Sequence, residues 1–209
     1  MNRRTVGYLG LGSIALFWCA SLIFGALRPS YSHAVNTISE LGAAGTQYSV
    51  LWNLIGFGLF GVLLAFVGAI IAREVLRTPS VLRTAATALL VISGLAVAGQ
   101  GLFPAEMVNG VADVTSSSTR AHFVSSLISA AAWILGALLL VRPMSRTPDW
   151  KGLHIVSVVL VVLVIVASFV LREALPDGLA QRIGNALFSL WLVVMSVRLL
   201  SLDGTSHSA

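Results

Sequence analysis

Charge is what this chain has least of. Only 10% of its 209 residues are Asp, Glu, Lys or Arg, while 57% are hydrophobic, and its mean hydropathy is +0.93. A soluble domain carries about 25% charged residues, so a soluble globular class is excluded and a polytopic membrane protein is indicated. Cysteine is nearly absent. Cys19 stands alone inside an apolar run, which excludes an intramolecular disulfide and any cysteine-based zinc site. There is no G-x-x-x-x-G-K-S/T and no H-E-x-x-H, so neither a P-loop nor a zinc-protease site is named by motif. The net charge of +5 does not point to nucleic acid, because the basic residues flank apolar runs, where they act as a topology signal.

What is present is length. Six runs reach the roughly 20 apolar residues needed to cross a hydrocarbon core. They fall near residues 5–27, 48–72, 83–103, 121–142, 153–171 and 181–200. The first follows Arg3 and Arg4 but exceeds the 7–15 residues of a signal-peptide core, so it reads as a retained span. The expected fold is all-α: one compact bundle of six transmembrane helices over residues 1–201, with a short polar tail at 202–209. Small residues at Ser21/Gly25, Gly61/Ala65 and Gly94/Ala98 repeat every fourth position and predict close helix contacts. The glycines of the second span predict a central place for it.

With the N-terminus inside, nine basic residues fall on the inner side: Arg3, Arg4, Arg73, Arg77, Arg83, Arg142, Arg146, Lys151 and Arg198. Four fall outside: Arg28, Arg120, Arg172 and Arg182. The bias predicts a cell-membrane protein with both termini cytoplasmic. Tyr31, Tyr48 and Trp52 are expected at the outer interface and Trp150 at the inner one, as aromatic belts require. Pro79, Pro143 and Pro148 are expected to end helices at the inner turns.

Polar residues collect at the outer connections. Thr37-Ile38-Ser39-Glu40 has the S/T-x-x-E spacing of a capping box, in which Thr37 caps a short helix and Glu40 reaches back. Candidate binding residues are Tyr31, Ser32, His33, Asn36, Ser39 and Glu40 in this connection, Glu106 after Pro104, His122 near the start of the fourth span, and Gln181 and Arg182 at the start of the sixth. Arg182 opposes the positive end of its own helix dipole, so a carboxylate partner is expected from Glu40, Glu106 or Glu173. Thr115 to Thr119 read as flexible loop. His154 and His207 read as solvated.

The pieces Tyr31-Ser32-His33, Thr37 to Gly42, Phe103-Pro104 with Glu106, His122, and Gly178-Leu179 with Gln181-Arg182 together resemble the DUF998 family of uncharacterised prokaryotic membrane proteins. The resemblance covers nearly the whole chain. It implies six membrane helices and no established activity.

Two functional classes are consistent with these residues. The first is a binding protein whose outer polar pocket holds a lipid headgroup, small amphiphile or ion, with Arg182 and Arg120 or Arg28 contacting an anionic group between Tyr31 and Trp52. The second is a membrane-embedded lipid hydrolase in which His33, His122 and Glu40 hold a metal. Haem binding needs facing histidines, and a proton-coupled transporter needs ionisable residues at mid-membrane; the sequence supplies neither. The lipid bilayer is the one partner it implies.

Overall fold

The computed structural model describes residues 2–203, so most of the 202–209 tail, with His207, lies outside the described residues. Six helices in it are long and apolar enough to cross a membrane. The chain is a multi-pass, all-helical membrane protein.

Helix α1 (Arg3–Ala26) starts where the Asn2 side chain accepts from the Thr5 amide. Helix α2 (Ser49–Val75) carries a π-helical stretch at Asn53–Leu59. Helix α3 (Val81–Leu102) is capped by the Ser80 side chain. Helix α4 (Ser117–Arg146) is capped by Ser116. Helix α5 (Leu153–Phe169) is followed by a single turn, Leu171–Ala174. Helix α6 runs Asp177–Asp203. Each consecutive pair packs together and α1 closes on α6, so the six helices form a ring in sequence order. Short connections at 76–80, 147–152 and 170–176 hold their antiparallel neighbours together, while the longer ones at 27–48 and 103–116 lie at one end of the bundle.

Glycine sets the closest of these contacts. A Cβ on Gly61 would lie 2.4 Å from the Ala98 amide nitrogen and 2.6 Å from the Gly94 carbonyl oxygen. One on Gly94 would lie 2.3 Å from the Ala65 amide nitrogen. The two small-residue pairs read from the sequence therefore face each other across the α2–α3 seam, where backbones touch without side chains between them. Gly25 departs from that reading: the ring of His33, not a helix, occupies the space where its Cβ would stand. Half of the apolar window of α2 is buried, the largest share of the six spans.

The interior has two parts. The larger runs the length of the bundle, with Trp133 and Trp191 in edge contact at 5.9 Å across it. The smaller closes the end that carries residues 28–48 and gathers Phe17, Trp52, Phe57 and Phe60 with Ile38 and Leu41. Trp52 and Trp150 are fully buried and belong to these cores, not to interfacial belts. An indole in a seat between helices gains more contact than one at the lipid edge.

Two local readings are corrected. Pro143 lies inside α4, which continues to Arg146; its missing N–H leaves the Leu139 carbonyl without a helical donor, but the last turn closes beyond it, where the Thr147 amide bonds back to the Pro143 carbonyl at 3.1 Å. Residues 117–119 form the first turn of α4, since Ser116 caps it. The preceding loop holds a two-stranded hairpin, Met107–Val108 with Val111–Ala112, turning through Asn109 and Gly110 at positive φ.

At the end where α1 begins and α6 ends, Arg3 pairs with Glu74 at 2.8 Å and Arg77 with Asp149. Arg198 donates to the Asp149 carbonyl. These connections are stapled, not plain turns.

Candidate functional site

The 28–48 connection is built as a cap on the bundle. Its 3-10 turn, Ile38–Gly42, has both halves of a capping box: Thr37 Oγ1 accepts from the Glu40 amide, and Glu40 Oε1 accepts from the Thr37 amide at 2.8 Å. Glu40 Oε2 takes a second bond, from Asn36 Nδ2 at 2.7 Å, and Asn36 Oδ1 accepts from the Ser32 amide at 2.8 Å. Ile38 and Leu41, 1% and 2% exposed, press this turn into the smaller core. Each is worth about 2 kcal/mol relative to exposure to water. Asn53, in the π-helical stretch of α2, donates to the Gly42 carbonyl at 2.9 Å. A side chain on Gly42 would strike Asn53 Oδ1.

The cap docks on the start of α6 through its carbonyls. The amides of Gly178 and Leu179, which a helix N-terminus leaves unpaired, donate to the carbonyls of Val35 at 3.0 Å and Ala34 at 2.9 Å. Arg182 continues the pattern, donating to the carbonyls of His33, Asn36 (2.8 Å) and Gly178 (2.9 Å) and to the hydroxyl of Tyr31. It also donates to Nδ1 of His33 at 3.1 Å. The carboxylate expected for Arg182 is not there. A row of carbonyl dipoles offsets the cation at the positive end of its helix dipole, which leaves Glu40 free for the capping box. Burial pushes the Tyr31 phenol above its ordinary range, against the pull of Arg182, so it stays protonated and donates to the Thr37 carbonyl at 2.9 Å. Burial and then the Arg182 charge lower the His33 imidazole, keeping Nδ1 an acceptor.

A second strand of contacts runs inward from the same cap. The buried ring of His122, just inside α4, turns Nδ1 toward the carbonyls of Gln100 (3.0 Å) and Phe103 (3.1 Å) at the end of α3. Two acceptors there require a proton on Nδ1, so in the neutral ring Nε2 is an acceptor. It meets the Ser39 hydroxyl at 3.1 Å. Gln181 Nε2 donates to the same hydroxyl at 3.3 Å, while its Oε1 accepts from the Ile38 amide at 2.6 Å. Ser39, partly exposed, thus donates to His122 and accepts from Gln181.

The structure therefore gathers Tyr31, His33, Asn36, Ser39, Glu40, His122, Gln181 and Arg182 on one end of the bundle. Ser32 takes part through its backbone and its side chain is exposed. Glu106 is exposed and is held by its backbone: the amide donates to Thr119 Oγ1 at 2.9 Å and the carbonyl accepts from the Asp113 amide at 2.8 Å. Among the described residues no three His, Cys, Asp or Glu side chains cluster as a metal site requires. His33 is held by Arg182 and His122 by Ser39, so they and Glu40 do not form a shared ligand set. Trp52 does not flank the cap surface, being wholly buried. Two clefts, about 500 and 410 Å³ in volume, lie at the other end.

Sequence reasoning missed Asn53, Thr119 and the carbonyls of Gln100 and Phe103. An amide and a hydroxyl within apolar spans were visible signals for the first two. Backbone acceptors carry no signal.

A ring of six membrane helices closed at one end by a hydrogen-bonded cap defines an integral membrane protein. The chain belongs to the family described as "Protein of unknown function (DUF998)", which matches residues 11–198. No curated protein and no solved structure matches it.

Proposed function

We propose that the capped end faces the extracytoplasmic side of the cell membrane and binds the uncharged polar headgroup of an amphiphile through Ser39 and Gln181. The carrying observation is the partly exposed Ser39 hydroxyl held between His122 and Gln181. The cations beside it are occupied: Arg182 by carbonyls and the Tyr31 hydroxyl, Arg28 by the Glu40 carbonyl at 2.8 Å. A phosphate would have to displace several of these bonds, whereas a hydroxyl or ester group can share the donors and acceptors already at the surface. Val35 and Leu179, both exposed, supply an apolar rim for an acyl chain. The nine-to-four distribution of basic residues supports the orientation.

The test is binding of tritiated monooleoylglycerol to the protein in phosphatidylcholine nanodiscs. Saturable binding is expected, weakened about ten-fold in Ser39→Ala/Gln181→Ala by loss of about one charge-free hydrogen bond. Equal or tighter binding of lysophosphatidate would overturn the uncharged assignment.

A second reading rests on the same pair. The Ser39 hydroxyl donates to a histidine whose other nitrogen is oriented by carbonyls, the relation between a nucleophile and its base. In an acyl hydrolase the Ser39 proton would pass to His122 Nε2 as Oγ attacks an ester carbonyl, and then to the departing alkoxide. A fluorophosphonate probe that labels Ser39 in the wild type but not in His122→Ala supports hydrolysis; no labelling leaves binding alone.

A further inference from the structure

The arginines at the end opposite the cap divide into two kinds. Arg3, Arg77, Arg83 and Arg198 are tied to carboxylates or backbone carbonyls. Arg73, Arg142 and Arg146 are exposed, and their guanidiniums make no hydrogen bond or ion pair among the described residues; of these, Arg142 and Arg146 belong together. They stand one turn apart on α4, so their side chains rise from one helix face. Both line the 500 Å³ cleft between the end of α4 and the α2–α3 connection, together with Arg77, Ser80, Thr147 and Leu82.

We infer that this cleft binds the phosphate headgroup of an anionic glycerophospholipid. The volume is that of a small-molecule site. Two unpaired guanidiniums, each able to fork onto phosphate oxygens, meet hydroxyl groups in the same opening. Leu82 on the cleft wall and its neighbour Val81, 37% and 88% exposed, continue the lipid-facing side of α3, which gives an acyl chain a path from the headgroup into the bilayer. That continuity favours a membrane lipid over free phosphate. The site lies at the ends of spans, at the depth where headgroups are found. It is independent of the cap and does not rest on its proposed ligand.

Native mass spectrometry of the purified protein, equilibrated with equal phosphatidylglycerol and phosphatidylcholine, tests this. Phosphatidylglycerol adducts should dominate in the wild type. In Arg142→Gln/Arg146→Gln the preference should fall by roughly thirty-fold, two arginines at the membrane surface being removed. Arg73→Gln/Lys151→Gln removes two charges from the same end outside this cleft and should keep the preference. Leu82→Trp fills the cleft with every charge retained and should lose it. An unchanged preference in Arg142→Gln/Arg146→Gln, an equal loss in Arg73→Gln/Lys151→Gln, or displacement of phosphatidylglycerol by inorganic phosphate would each overturn the assignment.

Discussion

Arg182 donates to the carbonyl oxygen of Asn36 at 2.8 Å, across 146 positions of sequence. That bond and its neighbours fix the cap to α6, and they are made to carbonyls, a hydroxyl and an imidazole, so no acidic residue marks them in the sequence.

Arg182→Gln should lower the melting temperature in detergent, with a cost of about 2–3 kcal/mol for loss of charge-assisted bonds to carbonyls. Arg182→Lys should be nearly as damaging, because a single ammonium cannot span carbonyls and the Tyr31 hydroxyl together. Full rescue by lysine would show that charge alone holds the cap.

Packing at the α2–α3 seam gives the next expectation. Gly61→Leu and Gly94→Leu should each cost about 1–3 kcal/mol through overpacking against backbone. Gly12→Leu is the matched control, since a Cβ there meets nothing within 4 Å. Gly152 is unsuitable because its φ of 93° strains any side chain. Equal melting temperatures for all three variants would remove the close-contact argument.

His33 makes the cap sensitive to acid. Its folded-state pKa is lowered, so the unfolded state binds the proton more readily. Stability is therefore full above the ordinary histidine value of about 6.5 and is lost as pH falls below it. Protonation removes the acceptor that Arg182 uses and places two cations together. The melting temperature should drop between neutral and mildly acidic pH in the wild type and drop less in His33→Gln. Parallel curves would contradict this.

How much of this was legible in the sequence follows from the kind of bond involved. The spans were, because apolar length is a strong signal, and so were the Thr37–Glu40 capping box and the glycine seam, which follow fixed spacings. That the 31–42 connection lies near His122 and Arg182 was expected, but the partners of Arg182 were not. A carboxylate can be read from a sequence; three carbonyls aligned by a fold cannot. The π-helical stretch at Asn53 was likewise silent, since its hydrogen-bond pattern depends on what packs around it.

Orientation is open to direct labelling. In a Cys19→Ser background, Ser32→Cys should react with an impermeant maleimide in whole cells and Ser145→Cys only after permeabilisation; both positions are exposed. The reverse pattern would place the cap in the cytoplasm.

The central claim is that Ser39 donates its hydroxyl to His122 while Gln181 donates to Ser39. Nitrogen-15 NMR of histidine-labelled protein in nanodiscs reads this most directly. The account predicts a neutral His122 ring protonated at Nδ1, with an Nε2 resonance that moves in Ser39→Ala and, more weakly, in Gln181→Ala. A proton on Nε2, or an Nε2 resonance indifferent to Ser39, would contradict it.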